Sequence, residues 1–175
     1  MLKLETVQIY IDGRPLFSSL SLEIKPGEIA SIMGPSGCGK STLLSAICGN
    51  LADVFVLSGD VSLNERTILA LPMEKRRIGI LFQDDLLFPH MNIAENLAFA
   101  LPSEMEKPEK KEKIREALMK AGLSGFEKRD PETLSGGQRA RVSLLRSLLA
   151  EPEAILLDEP FSKLDQELRS EERRV

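Results

Sequence analysis

The nine residues GPSGCGKST, numbered 34–42, decide how the rest of the chain is read. They are preceded by the apolar run EIASIM (28–33), a strand candidate, and followed by LLSAICG (43–49), a helix candidate. Three glycines between a strand and a helix contribute little to a core, so something must approach the backbone there. The pattern Gly34-x4-Gly39-Lys40-Ser41 is that of a phosphate-binding loop in its required strand–helix context. Glycines let N–H groups converge on phosphate oxygens at a helix N-terminus, where partial positive charge already favours an anion. Lys40 adds a full charge for the β- and γ-phosphates, and the Ser41 hydroxyl is a hard ligand suited to Mg²⁺. The candidate nucleotide-binding residues are therefore Gly34, Pro35, Ser36, Gly37, Cys38, Gly39, Lys40, Ser41 and Thr42. On its own the loop fits kinases, GTPases and ATPases equally.

At 175 residues the chain is one ordinary domain in length. A net charge of −4 provides no basic field, so nucleic acid is not the expected partner. No apolar run approaches the roughly 18 residues of a membrane span. The start, MLKLETVQIYIDG, alternates with strand period and lacks the apolar block of a signal peptide. Cys38 and Cys48 are the only cysteines and read as two reduced thiols of a cytosolic protein.

Residues 2–33 read as strands: KLETVQIYI and SLSLEI alternate, and EIASIM is apolar enough to be buried. A helix is predicted from Lys40 to about Gly49. VFVLSGDVSLN (54–64) reads as a strand pair broken at Ser58-Gly59, and RIGILFQ (77–83) as a buried strand. Asn92 to Glu95 has capping-box spacing and opens a helix to about Leu101. KPEKKEKIREALMKAGL sets Ile114, Leu118 and Ala121 on one face, its charges forming a solvated face. QRARVSLLRSLL (138–149) places Val142, Leu145 and Leu149 on one stripe, and EAILLDE (153–159) is a short buried strand ending in two acids.

Asp158, at the end of an apolar strand, is placed to hold a metal, commonly through water, and Glu159 could activate an attacking water. LSGGQ (134–138) precedes an amphipathic helix, so Ser135 and its glycines make a second anion-seeking N-terminus. A phosphate loop, then LSGGQ, then ILLDE in that order resembles the ATP-binding cassette (ABC) ATPases. Gln83 falls at the Q-loop position and SKLD (162–165) at the D-loop position, so the resemblance covers about residues 2–169. It implies an α/β fold: a P-loop NTPase core with an N-terminal antiparallel β part and an inserted α-helical subdomain. The expected division is 1–83 for the β part and phosphate-loop core, 84–150 for the helical subdomain, and 151–175 for the Walker B strand and D-loop.

The resemblance also implies function. Two cassettes associate head to tail around two ATP molecules, so the expected partner is a second copy. Ser41 and Gln83 would ligate Mg²⁺, with Asp158 holding it through water; Glu159 would be the general base, with Lys40 and Gln83 completing the catalytic set. Ser135, Gly136, Gly137 and Gln138 would meet the γ-phosphate of the other subunit's nucleotide, and Asp165 would join the dimer contact. Tyr10 is the candidate for stacking on adenine. The segment after Gln83 would receive transmembrane permease subunits, placing the chain in the cytoplasm, peripheral on the inner face of the cell membrane. The signature and post-Gln83 segments look most like bacterial importers of the thiamine, iron and spermidine kind, so an extracytoplasmic solute-binding protein is an expected partner.

The pattern breaks at its end. The family closes its catalytic set with a histidine on a later strand, and the sole histidine here, His90, lies before the signature. The expected reading is a C-terminally truncated cassette lacking its last core strands, unstable or completed by other polypeptide, with very low ATPase activity alone. Lys163 stands where the family's D-loop has alanine. Two alternatives stay open: a truncated cassette that binds nucleotide without efficient hydrolysis, and a soluble non-transport ABC ATPase. The spacing from Lys40 to Ser135 is too short for the long coiled coils of the repair and chromosome types, and translation factors carry two cassettes per chain.

Overall fold

The computed structural model describes residues 1–82 and 86–159. The chain forms two compact units, Met1–Ile78 and Gly79–Val175. Among the described residues no helix is long and apolar enough to cross a membrane.

The first unit is built on β1 (Leu2–Ile11). On one edge it pairs antiparallel with β4 (Phe55–Leu63), which carries β5 (Arg66–Thr67) beyond it. On the other it pairs with β2 (Arg14–Pro15) and β3 (Leu20–Ile24). The apolar residues of β1 explain a break in this sheet. Leu2 and Leu4 are buried, and so are Val7 and Ile9, which changes the phase of the alternation between residues 4 and 7. A strand of strict period two would send one pair to water. An extra residue absorbs the shift: Leu4 and Val7 oppose Leu22 and Leu20 on β3, while Glu5 and Gln8 oppose Asp60 and Ser58 on β4. Thr6 takes a φ of 49°, the mark of a β-bulge.

Gly59 faces that bulge. Its φ is +90°, and a Cβ there would lie 2.5 Å from the Glu5 carbonyl oxygen and 2.6 Å from that of Thr6. The sequence reading of 54–64 as a strand pair broken at Ser58-Gly59 is therefore corrected: β4 runs unbroken from Phe55 to Leu63. Glycine bends the strand around its neighbour's bulge instead of ending it.

A second correction concerns EIASIM. Residues 28–33 lie in no strand, and Ile29 and Met33 are 96% and 90% exposed. Apolar β-branched sequence describes a surface suited to a sheet, but a strand exists only where a neighbour takes its N–H and C=O groups. None of the described strands pairs with this segment.

The helix α1 (Lys40–Cys48) follows, ending as expected on Gly49 in the left-handed region. Leu43, Ala46, Ile47 and Cys48 are buried. Arg76 clamps its C-terminal end. Only 7% exposed, it donates to the carbonyls of Ala46 (2.8 Å), Ile47 (3.0 Å), Leu69 (2.9 Å) and Leu71 (2.8 Å). A cation that satisfies the last carbonyls of a helix also complements the negative end of its dipole. A Cβ at Gly49 would lie 2.8 Å from Arg76 Nε, so the helix terminator and the clamp require each other.

In the second unit β6 (Ile78–Leu81) and β7 (Ala154–Leu157) form a two-stranded sheet, and three helices enclose the main apolar cluster. These are α2 (Ile93–Ala98), α3 (Lys107–Lys120) and α4 (Gly136–Leu149). The cluster contains Ile93, Leu97, Ile114, Leu118, Leu123 and Val142, with Ala121, Leu145 and Leu149 packed on it. The predicted faces of α3 and α4 are thus the ones that are buried, and most charges of α3 are solvated. The capping box at α2 forms in both directions, Glu95 N–H to Asn92 and Asn92 N–H to Glu95, although the helix stops at Ala98 and not near Leu101. The strand RIGILFQ shrinks to four residues, of which only Leu81 is fully buried.

Substituting Gly59→Ala is expected to destabilise the fold by about 1–3 kcal/mol, the usual cost of forcing a side chain into the left-handed region. Urea unfolding should show a lower midpoint at unchanged slope. An unchanged midpoint would mean that the sheet accommodates the extra methyl group against the bulge.

Candidate functional site

The first unit carries the glycine loop. It enters α1 through Gly39, which caps the helix at φ 93° and ψ 13° with no side-chain hydrogen bond to the first turn. The first N–H groups of any helix lack intrahelical carbonyls. At α2 and at α4 the sequence closes that end with capping boxes; at α1 it supplies a residue with no side chain. Gly37 also has a left-handed φ, +79°. A Cβ at Gly34 would lie 2.9 Å from Cys38 Sγ, so the loop folds tightly on itself.

Lys40 reaches back over this loop. Its ammonium donates to the carbonyls of Gly34 and Pro35, both at 2.8 Å, and stands 3.9 Å from Cys38 Sγ. Pro35, Ser36 and Ser41 are exposed, and Thr42 is half-buried. On another side, Leu16 and Phe17 lie 3.3 Å and 3.2 Å from where a Cβ at Gly39 would be. These two apolar residues support the loop and escaped the sequence reading, because they follow a β-turn with no motif to mark them. Tyr10 is half-buried on β1; its hydroxyl donates to Gln8 Oε1 (2.7 Å), and Gln8 Nε2 donates to the Phe17 carbonyl (3.2 Å).

The second unit carries the acids and the signature. β7 leads into Asp158, whose backbone N–H donates to the Leu81 carbonyl at the end of β6 (2.9 Å). Asp158 is half-buried and Glu159 exposed. Glu159 has a φ of 47°, a conformation that costs a non-glycine residue about 1–3 kcal/mol and clusters at functional sites. Ser135 caps α4 in a reciprocal box. Its hydroxyl accepts from Gln138 N–H (3.3 Å), and Gln138 Oε1 accepts from Ser135 N–H (3.0 Å). The expectation of an anion-seeking end is therefore refined: each polar side chain of the signature accepts from the other residue's backbone N–H at the helix start. Gly136 opens the helix and Gly137 is buried. Arg139 donates to the Leu134 carbonyl (2.7 Å) and Arg141 to that of Ala121 (3.0 Å), so arginines off the apolar stripe fasten α4 to neighbouring loops. Gln83 and Asp165 lie outside the described residues.

Ser41 in the first unit and Asp158 in the second each carry a hard oxygen of the kind Mg²⁺ takes, and among the described residues no cluster of three or more His, Cys, Asp or Glu could hold a metal. Mg²⁺ characteristically takes one or two protein oxygens and completes its shell with water and substrate phosphates.

A glycine loop opening onto an uncapped helix, with a strand-end acid pair and a helical insertion between them in sequence, defines the class as a P-loop ATPase cassette. The family described as "ABC transporter" matches residues 17–162, and the chain belongs to it. It is 47% identical over 174 residues to the "Uncharacterized ABC transporter ATP-binding protein YnjD" of Escherichia coli (strain K12), covering 99% of this chain and 80% of that protein. It is 43% identical over 169 residues to the "Spermidine/putrescine import ATP-binding protein PotA" of Thermotoga maritima, covering 96% of this chain but 45% of that protein. Among solved structures it resembles the "Dimeric Structure of MJ0796, a Bacterial ABC Transporter Cassette", with a TM-score of 0.79 and 33% identity over 97% of this chain and 78% of that one. The same cassette "bound to ADP and Pi" in a "post-hydrolysis state" gives a TM-score of 0.78 and 34% identity, over 95% of this chain and 77% of that one. The fold expected from the sequence is the fold observed, and the chain is an ABC-type ATPase cassette.

Two free thiols lie in contrasting settings. Cys38 is half-buried in the loop, whereas Cys48 is 1% exposed and burial pushes its thiol pKa up, against the pull of Arg76. Thiolate is the reactive form, so one thiol should titrate rapidly with a disulfide reagent and the second only after unfolding. Cys38→Ser should abolish the fast phase; a fast phase surviving in that variant would contradict the assignment.

Proposed function

We propose that the chain is the ATP-binding and hydrolysing subunit of a solute importer, working as a head-to-tail pair with a second copy of itself on the cytoplasmic face of a membrane permease. The observation that carries ATP binding is the start of α1: an end whose cap residue is a glycine with no side chain, with left-handed Gly37 and Gly39 before it and the Lys40 ammonium folded back over the loop. Import is supported by likeness to a protein named as a spermidine/putrescine import subunit. The pairing is supported by likeness to a cassette solved as a dimer. The chain spans less than half of that import subunit, so the transported solute is not carried over. An extracytoplasmic solute-binding protein belongs to the same reading. The division into a β part and phosphate-loop core (1–83), a helical subdomain (84–150) and the strand and loop that follow (151–175) belongs to it too.

In this reading Gly34 to Thr42 hold the triphosphate of one ATP, with loop N–H groups and the Lys40 ammonium as donors. Tyr10 flanks the adenine. Ser41, Gln83 and Asp158 hold Mg²⁺, which when bound offsets charge on the phosphate oxygens. Glu159 orients the attacking water and accepts its proton. Ser135, Gly136, Gly137 and Gln138 face the partner's nucleotide, and Asp165 lies in the contact between cassettes. Positioning and charge stabilisation carry the catalysis, with Lys40 and Gln83 acting on the transferred group.

Two variants test the reading. Lys40→Met should weaken ATP binding by about tenfold or more, equivalent to about 1.4 kcal/mol per decade, in a fluorescent-nucleotide titration. Glu159→Gln should keep that binding while lowering the single-turnover hydrolysis rate by about 10²–10⁴-fold, the range for loss of a general base. A chain that binds ATP with equal affinity in both variants but hydrolyses none, in wild type or variant, would favour a nucleotide-binding cassette without turnover.

A further inference from the structure

The last turn of α4 carries Arg146 and Ser147, side by side in sequence, and each grips the chain around the end of β6. The Ser147 hydroxyl, whose one proton faces both the Ile80 carbonyl inside β6 (3.1 Å) and the Ser143 carbonyl a turn back on α4 (3.3 Å), is nearer the first. The Arg146 guanidinium donates through Nη2 to the Leu86 carbonyl (2.9 Å), farther along the same chain. Its Cζ also stands 5.2 Å from the centroid of the Phe88 ring. Phe88 is itself fixed at both backbone groups by Asn96, which is fully buried: Phe88 N–H donates to Oδ1 at 2.8 Å, and Nδ2 donates to the Phe88 carbonyl at 3.1 Å. Leu81, next to Ile80, accepts the backbone N–H of Asp158. One path of hydrogen bonds and rigid elements thus leads from the Ser135 cap along α4, through Ser147 to β6, and across to Asp158.

Arg146 combines these contacts with an unmet donor. Its Nη1 is buried and has no hydrogen-bond partner among the described residues, and burial lowers the pKa of the guanidinium. A buried donor left unmet is destabilising, and an apolar residue of similar volume would avoid that penalty. The bond it does make is to the chain that leaves β6.

We infer that Arg146 and Ser147 are positioning residues that lock the end of β6 to α4 and thereby set the backbone on which Asp158 is held. The inference rests on the reading of Asp158 as the residue that holds Mg²⁺. Neither side chain touches nucleotide or metal; both act through the carbonyls of Ile80 and Leu86. Partners bonded directly to a metal's ligands typically contribute about 10–100-fold to metal affinity, and this link, relayed through the β6 backbone, is expected at the low end of that range. The signature helix and the metal-bearing acid then move as one piece.

The test uses the intact chain and reads ATP affinity twice, with and without Mg²⁺, so that hydrolysis is not needed. The ratio of the two affinities should fall by about tenfold in the Arg146→Ala/Ser147→Ala double variant, and less in either single variant. ATP affinity without Mg²⁺ should be unchanged. Ser147→Thr, which keeps the hydroxyl, should restore the ratio, and Arg146→Lys should act as a milder variant if the alanine form does not fold. Amide exchange at Asp158 should quicken in the double variant while the α4 amides stay protected. If Asp158→Asn collapses the ratio but the double variant does not, the inference is overturned and the metal reading stands. If Asp158→Asn leaves the ratio intact, the metal reading fails and this inference fails with it.

Discussion

The structure depends on one constraint: a helix N-terminus presents N–H groups that the helix itself cannot satisfy. The chain answers it in two ways. At α2 and α4, an Asn–Glu pair and a Ser–Gln pair bind those groups reciprocally, and the helix start is closed. At α1 the preceding residue is Gly39, whose left-handed conformation brings the loop over the helix end but which has no side chain to cap it. The role proposed for the glycine loop follows from that difference. The two apolar side chains beneath Gly39 and the arginine clamp at the other end of α1 hold the open end in place.

The same economy governs the second unit. Four arginines or asparagines there, Asn96, Arg139, Arg141 and Arg146, bond to backbone carbonyls in loops, where no regular ladder is available. Side-chain donors replace sheet and helix partners in the segment before α2 and in the one between α3 and α4. The bonds of Asn96 and Arg139 are partly buried, so losing either donor leaves a carbonyl unmet away from water.

Much of this was legible in the sequence because the signals are local. Gly39 and Gly49 bracket α1 as the glycines predicted, and the Asn92–Glu95 box forms where its spacing put it. The apolar faces of α3 and α4 follow directly from their period. What failed was non-local. EIASIM has every property of a strand except a neighbour, and no window of sequence contains the neighbour. Gly59 reads as a breaker until the bulge at Thr6, some fifty residues away, is known. Arg76 is a buried cation, and arginine carries no local sign of burial. In the candidate site the loop, the capped signature and the strand-end acids were all marked by type and spacing, whereas Leu16, Phe17, Arg146 and Ser147 earn their places only through contacts formed on folding.

The folded-back Lys40 has a consequence for recognition. Its ammonium already donates to the carbonyls of Gly34 and Pro35, so two of its three N–H donors are engaged while its charge stays intact. An anionic oxygen entering the loop would compete with those two bonds, so taking up a ligand there would exchange contacts within the loop as well as add new ones.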